Sequence, residues 1–441
     1  MKRKAPSPKG SLFTGHLHPI RNDVVRLLET STRDHGDIVR FHIGPLVFHL
    51  LNHPDHVSHV MIRNRANYDK ASRSSEALGL ICGESLLTSN GDVWQRQRRM
   101  IQPMFHRAAV AGFVSTIARC TEEMLAGWDV KARRGESIEI ASEMMKLTFR
   151  IVGRCLFGAD LDKEADAVEE AMHVLITHTY HRWRSLVNPP ASWPTPANLR
   201  FRKALADVDA IVADLIERHR KSPPETPNLL SMLITGCEPG NDREIRNEAI
   251  TFLLAGHETT ANALSWAGCE LCQHPEWQEK IRTQFIEACD ERSPDMTDLP
   301  ALTHALHFFE ETVRLHPPIW AMERRVIADD EIGGYGIPRH SGVIISPYIL
   351  HRHPAFWEKP DEFSPERFER RDHDAYYPFG AGPRFCIGSE FALAEARVIL
   401  PMILRRFNLA AVPNQQVEAE PAITLRIKSG FLINLTPREP S

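Results

Sequence analysis

Ten residues near the C-terminus, Phe379-Gly380-Ala381-Gly382-Pro383-Arg384-Phe385-Cys386-Ile387-Gly388, limit what this chain can build more than any other stretch. They read Phe-x-x-Gly-x-Arg-x-Cys-x-Gly with each fixed position filled, and an amphipathic helical stretch from Ser389 to Arg397 follows at once. The glycines permit close approaches that a side chain blocks, so the loop can lie flat against a large planar ligand. A thiolate at a helix N-terminus is stabilised by the helix dipole and free backbone N–H groups, which lowers its pKa. A lone cysteine beside a turn would read as ordinary core. The joint spacing of Phe379, Gly382, Arg384 and Gly388 argues instead for a thiolate that binds something.

On these residues the sequence resembles the cytochrome P-450 family of haem-thiolate monooxygenases. The resemblance implies that Cys386 is the axial ligand of a haem b iron, with Phe379 and Gly380 packed near the thiolate, Gly388 closing the loop and Arg384 reaching a haem propionate. It implies a mainly α fold with small β-sheets (α+β), a long central helix and a proximal cysteine loop. Residues 1–441 then form a single domain, with residues 1–15 a flexible lead.

A second segment, Ala255-Gly256-His257-Glu258-Thr259-Thr260, lies in a helical stretch from about Arg243 to Gln273, which starts at Asn241 or Asp242 and is ended by His274-Pro275. Gly256 in a helix interior costs roughly 1 kcal/mol relative to Ala, so something must compensate, such as close approach to a flat cofactor. The Thr259 hydroxyl can bond the carbonyl of Ala255 one turn back, loosening the helix. The resemblance makes Ala255 and Gly256 cofactor contacts, and Glu258 with Thr259 the acid–alcohol pair that supplies protons for dioxygen activation.

In the third segment, Glu311 and Arg314 share a helix face at i and i+3. Most such pairs are solvated and worth a fraction of a kcal/mol. This one resembles the family's Glu-x-x-Arg, joined by Arg367 of Pro365-Glu366-Arg367-Phe368. The trio is read as a structural lock behind the cysteine loop. Trp94 and Arg98, at i and i+4 of a helical stretch, and Arg324 would hold propionates by the same resemblance, although Arg325 leaves that register open by one. Substrate would be met by the loop Ser72–Asn90, the region Ile176–Pro196, helix residues Phe252, Leu253 and Ala255, the strand from Ile319 and Trp320 to Met322, and the tip Lys428-Ser429-Gly430. Apolar residues dominate these segments, which implies a fatty acid, terpenoid or polyketide-like substrate.

The formal net charge of −4 gives no general affinity for nucleic acid or acidic membranes. Lys2-Arg3-Lys4 is not followed by an apolar core, so it is no signal peptide, and no apolar run reaches the roughly 18 residues of a membrane span. The resemblance then implies a soluble, bacterial-type, cytoplasmic monomer. With no flavin or iron–sulfur module before Ser441, NAD(P)H-derived electrons would come through a ferredoxin or flavodoxin with its reductase. Arg96, Arg99, Arg371 and Arg397 are candidates for that docking face. The eight cysteines are scattered, as suits a reducing compartment. Cys269-x-x-Cys272 with His274 could be a zinc or redox site, but no second pair joins it at metal-site spacing. A peroxide-driven peroxygenase or isomerase, or a haem sensor or carrier without turnover, remain alternatives. Glu258 and Thr259 argue against both.

The remaining pattern is mostly helical, at 108–134, 137–157, 162–182, 197–221 and Pro275–Glu291. Ile38–His42 and Leu46–Leu50 alternate about Gly44-Pro45 and predict a hairpin. Further strand signals lie at Glu331–Ile337, Val343–Ser346, and in Ile423–Ile427 with Phe431–Leu435 as a pair.

Overall fold

A computed structural model of the chain describes residues 3–185, 188–238, 240–290, 292–370 and 373–438; Arg371 lies outside them. Its axis is the helix Asp242–Gln273, 32 residues long. Asn241 caps its start by accepting the backbone N–H of Glu244, and Pro275, which opens the next helix, cannot extend it. Almost every residue from Glu244 to Leu271 is buried, because the helices Ile140–Leu156, Pro196–Lys221, Thr303–Leu315 and Ser389–Arg406 surround it. A helix packed on all sides sits in the middle of its fold, and polar residues such as Glu248, Glu258 and Asn262 are buried along with the apolar ones. Among the described residues no helix is long and apolar enough to cross a membrane.

The predicted hairpin forms, with Ile38–Ile43 against Leu46–Leu51 and Ile43 opposite Leu46. It is extended into a five-stranded sheet by Gly342–Ile345, Met322–Val326 and Tyr68–Asp69. Within the segment expected to be a loose lead, residues 3–6 run along the sheets: the Arg3 carbonyl accepts the Gly336 N–H at 2.9 Å, the Pro6 carbonyl accepts that of Arg40 at 2.8 Å, and Ala5 is buried, whereas Leu12 and Phe13 are exposed.

Several local expectations are corrected. The strand signal at 331–337 is a small hairpin, Asp330–Ile332 and Tyr335–Ile337, turning at Gly333-Gly334. The strands near 425 and 433 do not pair with each other. Leu425–Ile427 pairs with Ala419–Pro421, whereas Leu432–Pro437 lies between Ile138–Glu139 and Phe407–Ala411. Both runs alternate equally well, so only the tertiary fold chooses their partners. The stretch 72–90 is no simple loop: it carries the helix Arg73–Cys82, capped by Ser72. The strand placed at 319–322 begins only at Met322.

Candidate functional site

Cys386 lies in a loop whose shape comes from two backbone constraints. Its N–H donates to the carbonyl of Phe379 at 2.9 Å, closing the turn. Gly382 has φ +66, and a Cβ there would stand 2.1 Å from the carbonyl oxygen of Met61. Gly388 then caps the helix Ser389–Arg406. Of the eight cysteines, Cys386 alone is exposed. Burial nevertheless pushes its thiol pKa up, while the Gly388 N–H, Arg98 and Lys70 pull it down. Exposure and desolvation coexist because the sulfur faces space within the protein rather than bulk water.

Basic side chains converge on the same space. Arg98, on the helix Gly91–Ile101, and Lys70 both act on the Cys386 sulfur through their charge. Arg324 and Arg384 in turn act on Lys70 and on each other. Burial is the largest influence on each cation and pushes its pKa down, to about 10 for Arg324 and for Arg384. Among the described residues none of the four makes an ion pair with a carboxylate. Arg324 Nη1 donates to the carbonyl of Glu323 at 2.8 Å, Lys70 Nζ to that of Leu87 at 2.8 Å, and Arg384 Nη2 to that of Ser89 at 2.7 Å. Arg384 Nη1 is buried without a partner. The Arg384 guanidinium also lies over the Trp94 ring, 4.4 Å from its centroid. The register left open at 324/325 is resolved by strand alternation: Arg324 points inward, and Arg325 turns out to pair with Asp69 at 2.6 Å.

Lys70 is a site residue that the sequence did not reveal. It follows the two-residue strand Tyr68–Asp69, whose pairing with Val326 and Arg325 carries it next to Arg324. A single lysine in a polar stretch gives no local signal.

Above the loop, the central helix is buried except at Ala255, Gly256 and Thr259, the partly accessible positions between 244 and 271 in its middle turns. Thr259 Oγ1 donates to the Ala255 carbonyl at 2.8 Å, and the Thr148 hydroxyl to the His257 carbonyl at 3.0 Å. Side chains thus compete for the helix's own acceptors at this point. Gly256 is also approached closely by a neighbouring helix: a Cβ there would sit 3.0 Å from Cγ2 of Val152. Glu258 is buried, which pushes its carboxyl pKa up, and its Oε1 accepts the Thr424 hydroxyl at 2.7 Å.

The lock is fully wired. Arg314 donates to Glu311 at 2.6 and 2.8 Å and to the carbonyls of His351, Pro360 and Glu362. Arg367 Nε reaches Glu311 at 3.3 Å, and the Ser364 N–H at 2.7 Å. Both Glu311 and Arg314 are completely buried.

The remaining residues singled out in the sequence have these neighbours in the protein. Phe252 stacks on Phe105 at 5.3 Å, and Leu253 is core. Trp320 donates to the Ala422 carbonyl at 2.9 Å and lines a separate apolar cavity with Val24, Leu28, Phe41, Phe48 and Trp183, in which none of the residues around Cys386 takes part. Cys269 and Cys272 have pKa values raised by burial, Cys272 to about 12, and among the described residues no group of three or more ligands could hold a metal ion. Arg96 pairs with Glu244 at 2.6 Å, and Arg397 Nε donates to the Leu393 carbonyl at 3.1 Å.

The sequence profile of the family described as Cytochrome P450 matches residues 5–434. Cyclooctatin synthase of Streptomyces melanosporofaciens is 34% identical over 96% of this chain and 94% of its own length. Cyclooctat-9-en-7-ol 5-monooxygenase of the same organism is 32% identical over 86% and 84%. Pentalenene oxygenase of Streptomyces avermitilis is 28% identical over 93% and 92%. The chain belongs to the cytochrome P450 family, and it is a haem-thiolate monooxygenase. Its residues fit the cofactor: an accessible thiol stands beside gathered cations that lack carboxylate partners, and haem b brings two carboxylates.

Proposed function

We propose that Cys386 holds haem b while Lys70, Trp94, Arg98, Arg324 and Arg384 bind its propionates, and that the enzyme oxidises an apolar terpenoid-type substrate with electrons from a separate ferredoxin or flavodoxin and its reductase. The observation that carries this reading is the cluster of one buried and three half-buried cations, without an ion-paired carboxylate among the described residues, beside the one exposed cysteine. Such charges are costly unless a partner with negative charge joins them. Bound haem supplies the electron transfer and dioxygen chemistry. The protein's part is to bind, orient and move protons. Ala255 and Thr259 present the accessible face of the central helix, the Thr259 hydroxyl offers a hydrogen bond there, and Glu258 brings a carboxyl kept ready for protonation by burial. General acid–base help of this kind is typically worth about 10²–10⁴-fold. Glu311, Arg314 and Arg367 hold the fold behind the loop.

The terpenoid class is favoured because two relatives are named for oxidising an alkenol and an alkene. A spectral titration tests it: ring alkenes and their alcohols should displace the haem's water ligand, and response to long-chain fatty acids alone would overturn the class. Cys386→Ala should abolish the thiolate-type spectrum of the reduced carbon-monoxide complex. Retention of that spectrum would sink the ligand assignment.

A further inference from the structure

Glu258 and Thr259 are neighbours in sequence but look in different directions. Successive helical residues are turned by about 100°, so the Glu258 side chain leaves the helix well round from that of Thr259. It belongs with Asn262 and Trp266, at i, i+4 and i+8, and all three reach the same small hairpin, Ala419–Pro421 with Leu425–Ile427. The Thr424 hydroxyl donates to Glu258 Oε1 at 2.7 Å, Asn262 Nδ2 donates to Thr424 Oγ1 at 3.1 Å, and the Trp266 indole donates to the Leu425 carbonyl at 3.4 Å. Glu258, Thr424 and Asn262 are each at most 4% exposed.

A polar line continues outward from this contact. Arg426 is the charged group that acts on Glu258, favouring its ionised form. Its guanidinium meets Glu420 of its own hairpin at 3.5 Å and Nδ1 of His173, on the helix Ala165–Trp183, at 3.4 Å, while its Nε is buried without a partner. Glu420 is half-exposed, so the line ends at water.

Resting on the proton-delivery role proposed for Glu258, we propose that Thr424, braced by Asn262, is a positioning residue that holds the ionised Glu258 carboxyl outward, where it takes up one proton from water at the hairpin edge before turning inward to release that proton towards Thr259. The switch is electrostatic. An ionised carboxylate is gripped by the Thr424 O–H and by Arg426, and both attractions weaken once it is neutral. Protonation therefore frees the acid to rotate, and loss of the proton returns it to the hairpin.

The test uses the haem-loaded enzyme. The infrared carboxyl band of Glu258 is identified as the one lost in Glu258→Gln, and then titrated. In Thr424→Val, which keeps the shape and removes the donor, the band should persist to higher pH. NADPH oxidation with added ferredoxin and its reductase should slow on the order of tenfold or more, the worth of one hydrogen bond to a charged group. Its pH profile should move alkaline, and Thr424→Ser should restore both. Asn262→Ala, which keeps the donor but removes its brace, should give a smaller shift in the same direction and serves if Thr424→Val does not fold. An unchanged titration and pH profile in Thr424→Val, with the rate lost in Glu258→Gln, would overturn the positioning role alone. An unimpaired rate in Glu258→Gln would overturn the proton-delivery reading and this inference with it.

Discussion

Two clusters of buried arginine stand in this protein, and they are built on opposite terms. Around Glu311, every guanidinium finds an acceptor from the chain itself: one carboxylate receives Arg314, Arg367 and the Ser364 N–H, and carbonyls of the 351–362 segment take the rest. Around Cys386, Lys70, Arg98, Arg324 and Arg384 have carbonyls, a Trp face and each other, but no carboxylate among the described residues. The first cluster is complete without help. The second is a stored demand for anions, and its members depress one another's basicity until that demand is met. Buried like charges thus separate architecture from binding site more sharply than burial alone does.

Removing a partner should have opposite consequences in the two places. Glu311→Ala strands two cations in the interior and should cost about 3–5 kcal/mol of stability, with or without haem, since breaking a buried pair leaves uncompensated charge. Chemical denaturation of the apoprotein is the measurement, and a normal midpoint would make the trio a mere surface contact. Lys70→Met, by contrast, relieves repulsion in the apoprotein, whose midpoint should hold or rise. Haem should then bind more weakly by about 1.5–3 kcal/mol, the usual worth of a hydrogen bond to a charged group, as read from haem transfer to an acceptor protein. A destabilised apoprotein would erase the contrast.

Per pH unit, the smallest of these effects tests whether the lock resists protonation. His351 accepts the Tyr377 N–H at Nε2 and faces the Arg314 carbonyl at Nδ1, which fits a neutral ring, and burial pushes its pKa down from 6.5 to about 3. Between those values the unfolded chain binds a proton that the folded chain refuses. Stability should therefore fall by about 1.4 kcal/mol for each pH unit of acidification in that window. His351→Gln should remove that share of the slope, and an unaltered slope would place the proton elsewhere.

Much of this was legible in the sequence because the signals were local. The cysteine loop, the bounds of the central helix at Asn241 and Pro275, the Glu311–Arg314 spacing and the Ile38–Leu51 hairpin each depend on residues within one turn or one strand pair. What stayed hidden depends on partners remote in the chain. Lys70 becomes a site residue only through the Tyr68–Asp69 pairing with Arg325 and Val326. Thr424 meets Glu258 across 166 positions of sequence. The close approach of Val152 to Gly256 comes from a helix whose docking no local pattern encodes.

The contact between Gly382 and the Met61 carbonyl has a practical consequence for redesign. The cysteine loop is not a portable cassette. Its curvature is moulded against the turn His59–Arg63, more than three hundred residues earlier, so a designer who transplants the loop must carry that turn as its template. Libraries that randomise position 382 will select glycine whatever substrate is offered, because a Cβ there would meet the Met61 carbonyl oxygen at 2.1 Å.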